Sequence, residues 1–106
     1  MKTQRPNGKE TFLDQLKQQF ELIKSVPAHN YAIYKIIYNP SQKIFATASR
    51  DKTIKIWDEE MYIILRIDNE SFKGHTNSVN SVLWINDHQL ISTGDDWRIM
   101  LWEVCN

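Results

Sequence analysis

What most constrains this chain is a segment that it contains twice. Thr47 to Asp58 reads T-A-S-R-D-K-T-I-K-I-W-D and Ser92 to Trp102 reads S-T-G-D-D-W-R-I-M-L-W, with Asp96 45 positions after Asp51 and Trp102 45 after Trp57. In the first copy Arg50-Asp51-Lys52-Thr53 has the composition of a tight turn, and the run after it, Ile54-Lys55-Ile56-Trp57, alternates. Alternation sets Ile54 and Ile56 on one face of a strand and Lys55 on the other. Lys43 to Ser49 supplies the partner strand of a hairpin. The copying reaches upstream: His29 and His75 stand 46 apart, Ile33 answers Val79, Ile36 answers Val82 and Tyr38 answers Trp84. One residue is lost from the second copy, between the positions of Tyr38 and Phe45, where a surface turn tolerates a deletion. A repeat of this period means copies of one supersecondary unit, none able to bury its apolar face alone.

The rest of the chain reads as β-structure joined to a short leader. Ile33–Tyr38, Lys43–Ser49 and Thr53–Asp58 are the expected inner strands of the first unit, and Met61–Ile67 its outer strand. Asp68–Lys73 is the link, and Val79–Trp84, Gln89–Thr93 and Trp97–Glu103 repeat the inner three strands. Met1–Lys9 is polar, carries Pro6 and an Asn7-Gly8 turn signal, and reads as disordered. In Glu10–Lys24 the apolar residues Phe12, Leu13, Leu16, Phe20 and Ile23 fall at helical spacing, with Thr11 placed to cap and Asp14 behind it.

Gly74-His75, Trp57-Asp58 and Trp102-Glu103 resemble the marks of the WD-repeat β-propeller family, and the resemblance covers Phe20 to Glu103. It implies an all-β fold, a partial β-propeller of two antiparallel blades with a short N-terminal helical or disordered leader. Residues 1–19 form the leader, and 20–106 carry two repeats, at 20–58 and 61–103. The family also places a strand just before each histidine, here Phe20–Val26, so the segment Glu10–Lys24 is read as helix over roughly its first half and strand from about Phe20. The second blade then lacks an outer strand of its own. Two blades cannot close a ring that normally holds four to eight. Three expectations follow: two C-terminal-type repeats of a larger propeller, a unit that completes its blades with further chains, or a truncated, non-functional remnant.

His29, Thr47, Asp51 and Trp57 form one recurring set, and His75, Ser92, Asp96 and Trp102 the other. Hydroxyl, imidazole and carboxylate together suggest a hydrolytic triad, but no Gly-x-Ser-x-Gly elbow accompanies them. The resemblance implies instead a buried structural network in which Asp holds His, His reaches the hydroxyl, and the hydroxyl meets the indole N–H. Gly94 stands where the first copy has Ser49, a change that leaves this network intact on paper.

Other chemistry finds little support. The three histidines are scattered, the single Cys105 has no partner cysteine and the three glycines lie far apart. No structural-metal spacing, phosphate loop or intrachain disulfide can be built from them, and no cofactor is implied. Thirteen basic and thirteen acidic residues balance to zero formal charge, which speaks against broad attraction to nucleic acid or an anionic membrane. The longest apolar run, Met61–Leu65, is far short of a membrane span, and the N-terminus has no apolar signal core. A cytoplasmic location is the expectation.

Recognition remains. The resemblance implies that the face carrying the Asp turns binds other proteins or peptides. By position that face presents Ala32, Tyr34 and Arg50 from the first repeat, and Ser78, Asn80 and Asp95 from the second, with Trp97 as a candidate exposed anchor. The expected function is a non-enzymatic protein–protein interaction scaffold.

Overall fold

A computed structural model of the chain describes residues 11–104. The polar stretch Met1–Lys9 and Cys105 lie outside the described residues. After Thr11 the chain forms helix α1 (Phe12–Gln19). The Asp14 amide donates to Thr11 Oγ1 at 3.1 Å, and the Asp14 carboxylate accepts from the Thr11 amide at 3.1 Å. This capping box satisfies amides that have no partner inside the helix. No residue of α1 is buried.

The strand expected over Phe20–Val26 does not form; these residues have no regular secondary structure. A strand needs a neighbouring edge to exchange backbone hydrogen bonds with. This segment crosses a sheet face instead. Lys24 Nζ donates to the Glu60 carbonyl at 2.7 Å and sits 3.7 Å from the Tyr62 ring centroid, and Lys55 Nζ donates to the Ala28 carbonyl at 2.5 Å. Phe20, Leu22 and Ile23 are left exposed.

Two antiparallel sheets follow. The first has the order β1 (Ile33–Asn39), β2 (Ile44–Ser49), β3 (Ile54–Asp58), β4 (Ile63–Ile67), and the second the order β5 (Val79–Trp84), β6 (Gln89–Gly94), β7 (Ile99–Glu103). β4 and β7 begin two residues later than their sequence pattern suggests. Met61 and Trp97 both have φ of 67°, a left-handed conformation that keeps them in turns rather than ladders. The link carries a short helix, α2 (Asn69–Phe72), started by the Asp68 side chain accepting from the Ser71 amide at 2.7 Å and ended by left-handed Lys73.

The core lies between the sheets. Ala46, Ala48, Ile54, Ile56 and Ile67 of the first pack against Val79, Val82 and Leu90 of the second. Each fully buried branched side chain contributes roughly 1.5–3 kcal/mol. Polar ties span the same interface: buried Asn39 donates to the Asp87 carbonyl at 2.9 Å, and the Trp84 indole to the Ile37 carbonyl at 3.3 Å. The opposite faces are covered only in part: on the first sheet Thr47 and Trp57 are buried there. Ile36 and Tyr38 on the first sheet, and Leu83, Ile99 and Leu101 on the second, are exposed.

Candidate functional site

Both hairpins turn on three-residue loops of the same design. In the first, the Lys52 amide donates to the Ser49 carbonyl at 3.3 Å, the Ser49 amide donates to the Thr53 carbonyl at 3.2 Å, and Lys52 has φ of 74°. In the second, the Trp97 amide donates to the Gly94 carbonyl at 3.1 Å, the Gly94 amide to the Arg98 carbonyl at 3.4 Å, and Trp97 takes the left-handed place. A tight turn closed by one left-handed residue matches the twist of the flanking strands. The adjoining strands each carry an irregularity at the same end. The β1–β2 register shifts between Ile33 and Lys35, and the β5–β6 register between Val79 and Ser81. Tyr34 and Asn80 are the residues at those shifts. An irregularity of this kind re-aims a side chain, and Asn80 reaches the turn residue Asp95, to which its side-chain amide donates at 2.8 Å.

Behind each turn the side chains of the two recurring sets meet. His29 Nδ1 is 2.8 Å from Asp51 Oδ2, His29 Nε2 is 2.7 Å from Thr47 Oγ1, and the Trp57 indole donates to Thr47 Oγ1 at 2.9 Å. In the second sheet His75 Nδ1 is 3.0 Å from each oxygen of Asp96, Nε2 is 2.8 Å from Ser92 Oγ, and the Trp102 indole donates to that oxygen at 2.9 Å. A carboxylate only accepts and an indole only donates, so the partners assign the imidazole proton to Nδ1. Nε2 then accepts the hydroxyl proton, and every member of the chain is satisfied.

Each carboxylate also holds its own turn. Asp51 Oδ1 accepts from the Thr53 amide at 3.0 Å and the Thr53 hydroxyl at 2.6 Å, and Oδ2 from the Asn30 amide at 3.2 Å. Asp96 accepts from the Thr76 amide at 2.9 Å and the Arg98 amide at 3.2 Å. Burial alone would raise the Asp51 carboxyl, but hydrogen bonds from Thr53 and His29, the His29 charge and the Asn30 amide outweigh it and hold it below the usual carboxylate range. Asp96 is lowered in the same way: burial opposes, and the Thr76 amide, His75 and the Arg98 amide prevail. Burial pushes the His29 imidazole down, against the Asp51 hydrogen bond and charge.

The hydroxyls do not have the surroundings of nucleophiles. Thr47 and Ser92 are both buried and both accept an indole N–H. A nucleophilic oxygen must meet a substrate carbonyl beside an oxyanion site. Among the described residues there is no group of three or more His, Cys, Asp or Glu able to hold a metal ion.

The outer rim differs from its sequence reading at one position. Ala32, Tyr34, Arg50, Asn80, Asp95 and Trp97 are exposed, but Ser78 is buried. Ser78 matches Ala32 in the repeat, yet only Ser78 lies between the sheets. Its hydroxyl donates to the Arg50 carbonyl at 3.4 Å, and its own carbonyl accepts from the Asp95 amide at 2.9 Å. On the rim, the Arg50 guanidinium lies 5.7 Å from the Tyr31 ring centroid, and the Asn80 amide donates to Asp95 at 2.8 Å. Trp97 is 96% exposed. Tyr31 and Thr53 belong to this constellation without having been singled out by the repeat. Thr53 has no counterpart hydroxyl in the second copy, where Arg98 stands, so the repeat gives no signal for it.

These two sheets, each with its His-hydroxyl-Asp-Trp chain, are blades of a β-propeller. The WD40 profile (WD domain, G-beta repeat) matches residues 20–58 and 68–103, and the chain belongs to this family. The chain is similar to human WD repeat-containing protein 37, 29% identical over 86 residues, covering 81% of this chain and 17% of that protein. It is also similar to nuclear distribution protein PAC1 of Arthroderma benhamiae, 32% identical over 95 residues, covering 81% of this chain and 20% of the relative. A solved structure, the WD40 β-propeller domain of Doa1, superposes with a TM-score of 0.62 at 30% identity, over 72% of this chain and 24% of that one. The chain thus spans a fifth or less of the length of these curated relatives.

Proposed function

We propose that this chain is a non-enzymatic scaffold module that binds a protein or peptide partner through the turn end of its two blades. The observation that carries the reading is Trp97, a large aromatic side chain 96% exposed on a backbone with φ of 67°. A bulky residue rarely takes that conformation, and exposed aromatic surface gains most when a partner covers it. The Asp96 network fixes the backbone beneath it, so the indole is presented from a rigid mount. Tyr34, Ala32, the Arg50–Tyr31 pair and the Asn80–Asp95 pair add exposed groups of mixed apolar and polar character at the turn ends of the two blades. Burial of both hydroxyls supports the absence of hydrolytic chemistry, and WD40 propellers in general act as scaffolds. A cytoplasmic location, compatible with the lone cysteine, belongs to the same proposal.

Peptide display against the purified chain tests it. Selected peptides should lose at least tenfold in affinity against Trp97→Ala or Arg50→Ala and retain it against Lys43→Ala, on a different turn. Binders indifferent to Trp97 and Arg50 would refute the reading.

A further inference from the structure

The turns of the two blades can be compared position by position, because the repeat sets each residue of one against a residue of the other. Arg50 and Asp95 hold the same place, 45 positions apart. The same backbone bond fixes each: the Arg50 amide donates to the Ala32 carbonyl at 3.0 Å, and the Asp95 amide to the Ser78 carbonyl at 2.9 Å. Their side chains carry opposite charge. Lys52 and Trp97 also share a place, both left-handed and both exposed. Two residues beyond Arg50 there is thus a second cation, and two beyond Asp95 an indole. Asp51 and Asp96 stay out of this pattern, being turned inward to their histidines. Arg98 brings a cation to the second turn, three residues beyond Asp95 and next to β7.

Neither charge is met within the chain. Among the described residues the ion pairs are His29–Asp51, Arg66–Asp68 and His75–Asp96, and neither Arg50 nor Asp95 takes part in one. The Arg50 guanidinium lies 5.7 Å from the Tyr31 ring centroid, a contact that steadies the fork without using its N–H donors. Asp95 Oδ1 accepts from the Asn80 side-chain amide at 2.8 Å, which orients the carboxylate, and among the described residues Oδ2 has no donor. The spacing of the two groups is fixed as well. Ser78, buried between the sheets, donates its hydroxyl to the Arg50 carbonyl at 3.4 Å and accepts the Asp95 amide on its own carbonyl. One serine and two hydrogen bonds therefore separate the two turn backbones, a gap of at most about 10 Å, which about three extended residues cover. Both bonds use backbone groups of Arg50 and Asp95, so replacing their side chains leaves the spacing in place.

Resting on the reading of the turn end as a recognition surface, we infer that the partner is an extended peptide segment carrying one acidic and one basic side chain about two to four residues apart. The acidic side chain meets Arg50, whose planar fork takes a carboxylate through two parallel N–H donors. The basic side chain meets Asp95 at Oδ2. A segment of a single charge sign would set a like charge against one of the two turns. An uncharged segment would cover both charges and pair neither. The turn end therefore selects its partner by the order of two opposite charges as well as by an aromatic contact.

A random-peptide library displayed against the chain, with selected peptides then resynthesised for fluorescence anisotropy, tests this. Selected peptides should carry both charges at that spacing, and their binding should weaken as salt is raised. Arg50→Glu and Asp95→Lys should each lower the affinity of such a peptide by about tenfold or more, with circular dichroism unchanged because both side chains are exposed. The neutral variants Arg50→Gln and Asp95→Asn should show smaller losses. The double variant carrying Arg50→Glu and Asp95→Lys should bind the same peptide with its two charges exchanged, and this recovery is a result that damage to the fold would not give. Peptides that lack one of the charges, or that ignore both reversals yet still lose affinity on Trp97→Ala, would overturn the charge pairing and leave the recognition reading standing. A library that yields no binder, or binders indifferent to all three positions, would overturn both.

Discussion

A β-carbon on Gly94 would come within 2.6 Å of Nδ1 of His75. The same carbon would lie 2.9 Å from both Asp96 Oδ1 and the Ser78 carbonyl oxygen. In the first blade the matching Ser49 has room, and its hydroxyl donates to the Ala32 carbonyl at 2.8 Å while accepting from the Asp51 amide at 3.0 Å. The glycine is therefore required by the second network rather than simply tolerated by it. Gly94→Ser should destabilise the chain by about 1–3 kcal/mol, whereas Ser49→Ala removes hydrogen bonds without a clash and should cost about 1 kcal/mol. Urea midpoints of the two variants check this, and equal loss in both would contradict the crowding at Gly94.

Trp57 combines a stacked contact with Phe45, ring centroids 6.1 Å apart, with the hydrogen bond that ends the first network. Trp57→Ala should cost on the order of 3–5 kcal/mol. Asp51→Ala leaves the His29, Thr53 and Asn30 donors without their acceptor and should cost at least 1–3 kcal/mol. Thermal melting within a degree of the parent for both would count against the networks as structural elements.

The networks also set the response to pH. His29 is lowered in the folded chain, chiefly by burial. The unfolded chain therefore binds more protons just below its ordinary value of about 6.5. Its stability contribution is complete above that value and is lost as pH falls toward the folded one. Asp51 and Asp96 are lowered too, so the stability they supply is complete above about 3.9 and is lost as pH falls through their folded values. Stability should thus decline on acidification in two stages. Urea midpoints measured from pH 8 to pH 3 should show a first decline below pH ~6.5 that His29→Gln abolishes; its persistence in that variant would assign the stage to another group.

Trp97 adds almost no buried surface, and its left-handed backbone is strained for any side chain but glycine. Trp97→Gly should therefore stabilise the chain, by about 1 kcal/mol, while removing the proposed anchor. A variant that melts higher but no longer holds a selected peptide is the expected result, read by thermal melting and binding on the same sample. Loss of stability in Trp97→Gly would show that the indole packs more than its exposure suggests.

Much of the fold is written in the sequence because the repeat states it twice. The 45-residue spacing of Asp51–Asp96 and Trp57–Trp102, and the alternation in Ile54–Trp57, are local patterns, and local patterns determine strand faces and hairpin turns. The capping box of Thr11 and Asp14 is legible for the same reason, since all its members lie within one helical turn. Strand starts at Met61 and Trp97 are less legible, because a left-handed residue gives no sign of itself when it is not glycine or asparagine.

Neighbours across space, by contrast, are settled only by the folded chain. Residues 20–26 have a strand's pattern and no strand's structure, because pattern supplies a face and only a second edge supplies hydrogen bonds. Ala32 and Ser78 occupy the same repeat position, as do Ile54 and Ile99, yet in each pair one is buried and the other exposed. The sequence by itself determined two blades, their hairpins and the residue types of their networks. Which faces are covered, which glycine is indispensable and which tryptophan stands in solvent depend on what lies opposite, and that distance information exists only once the sheets have packed.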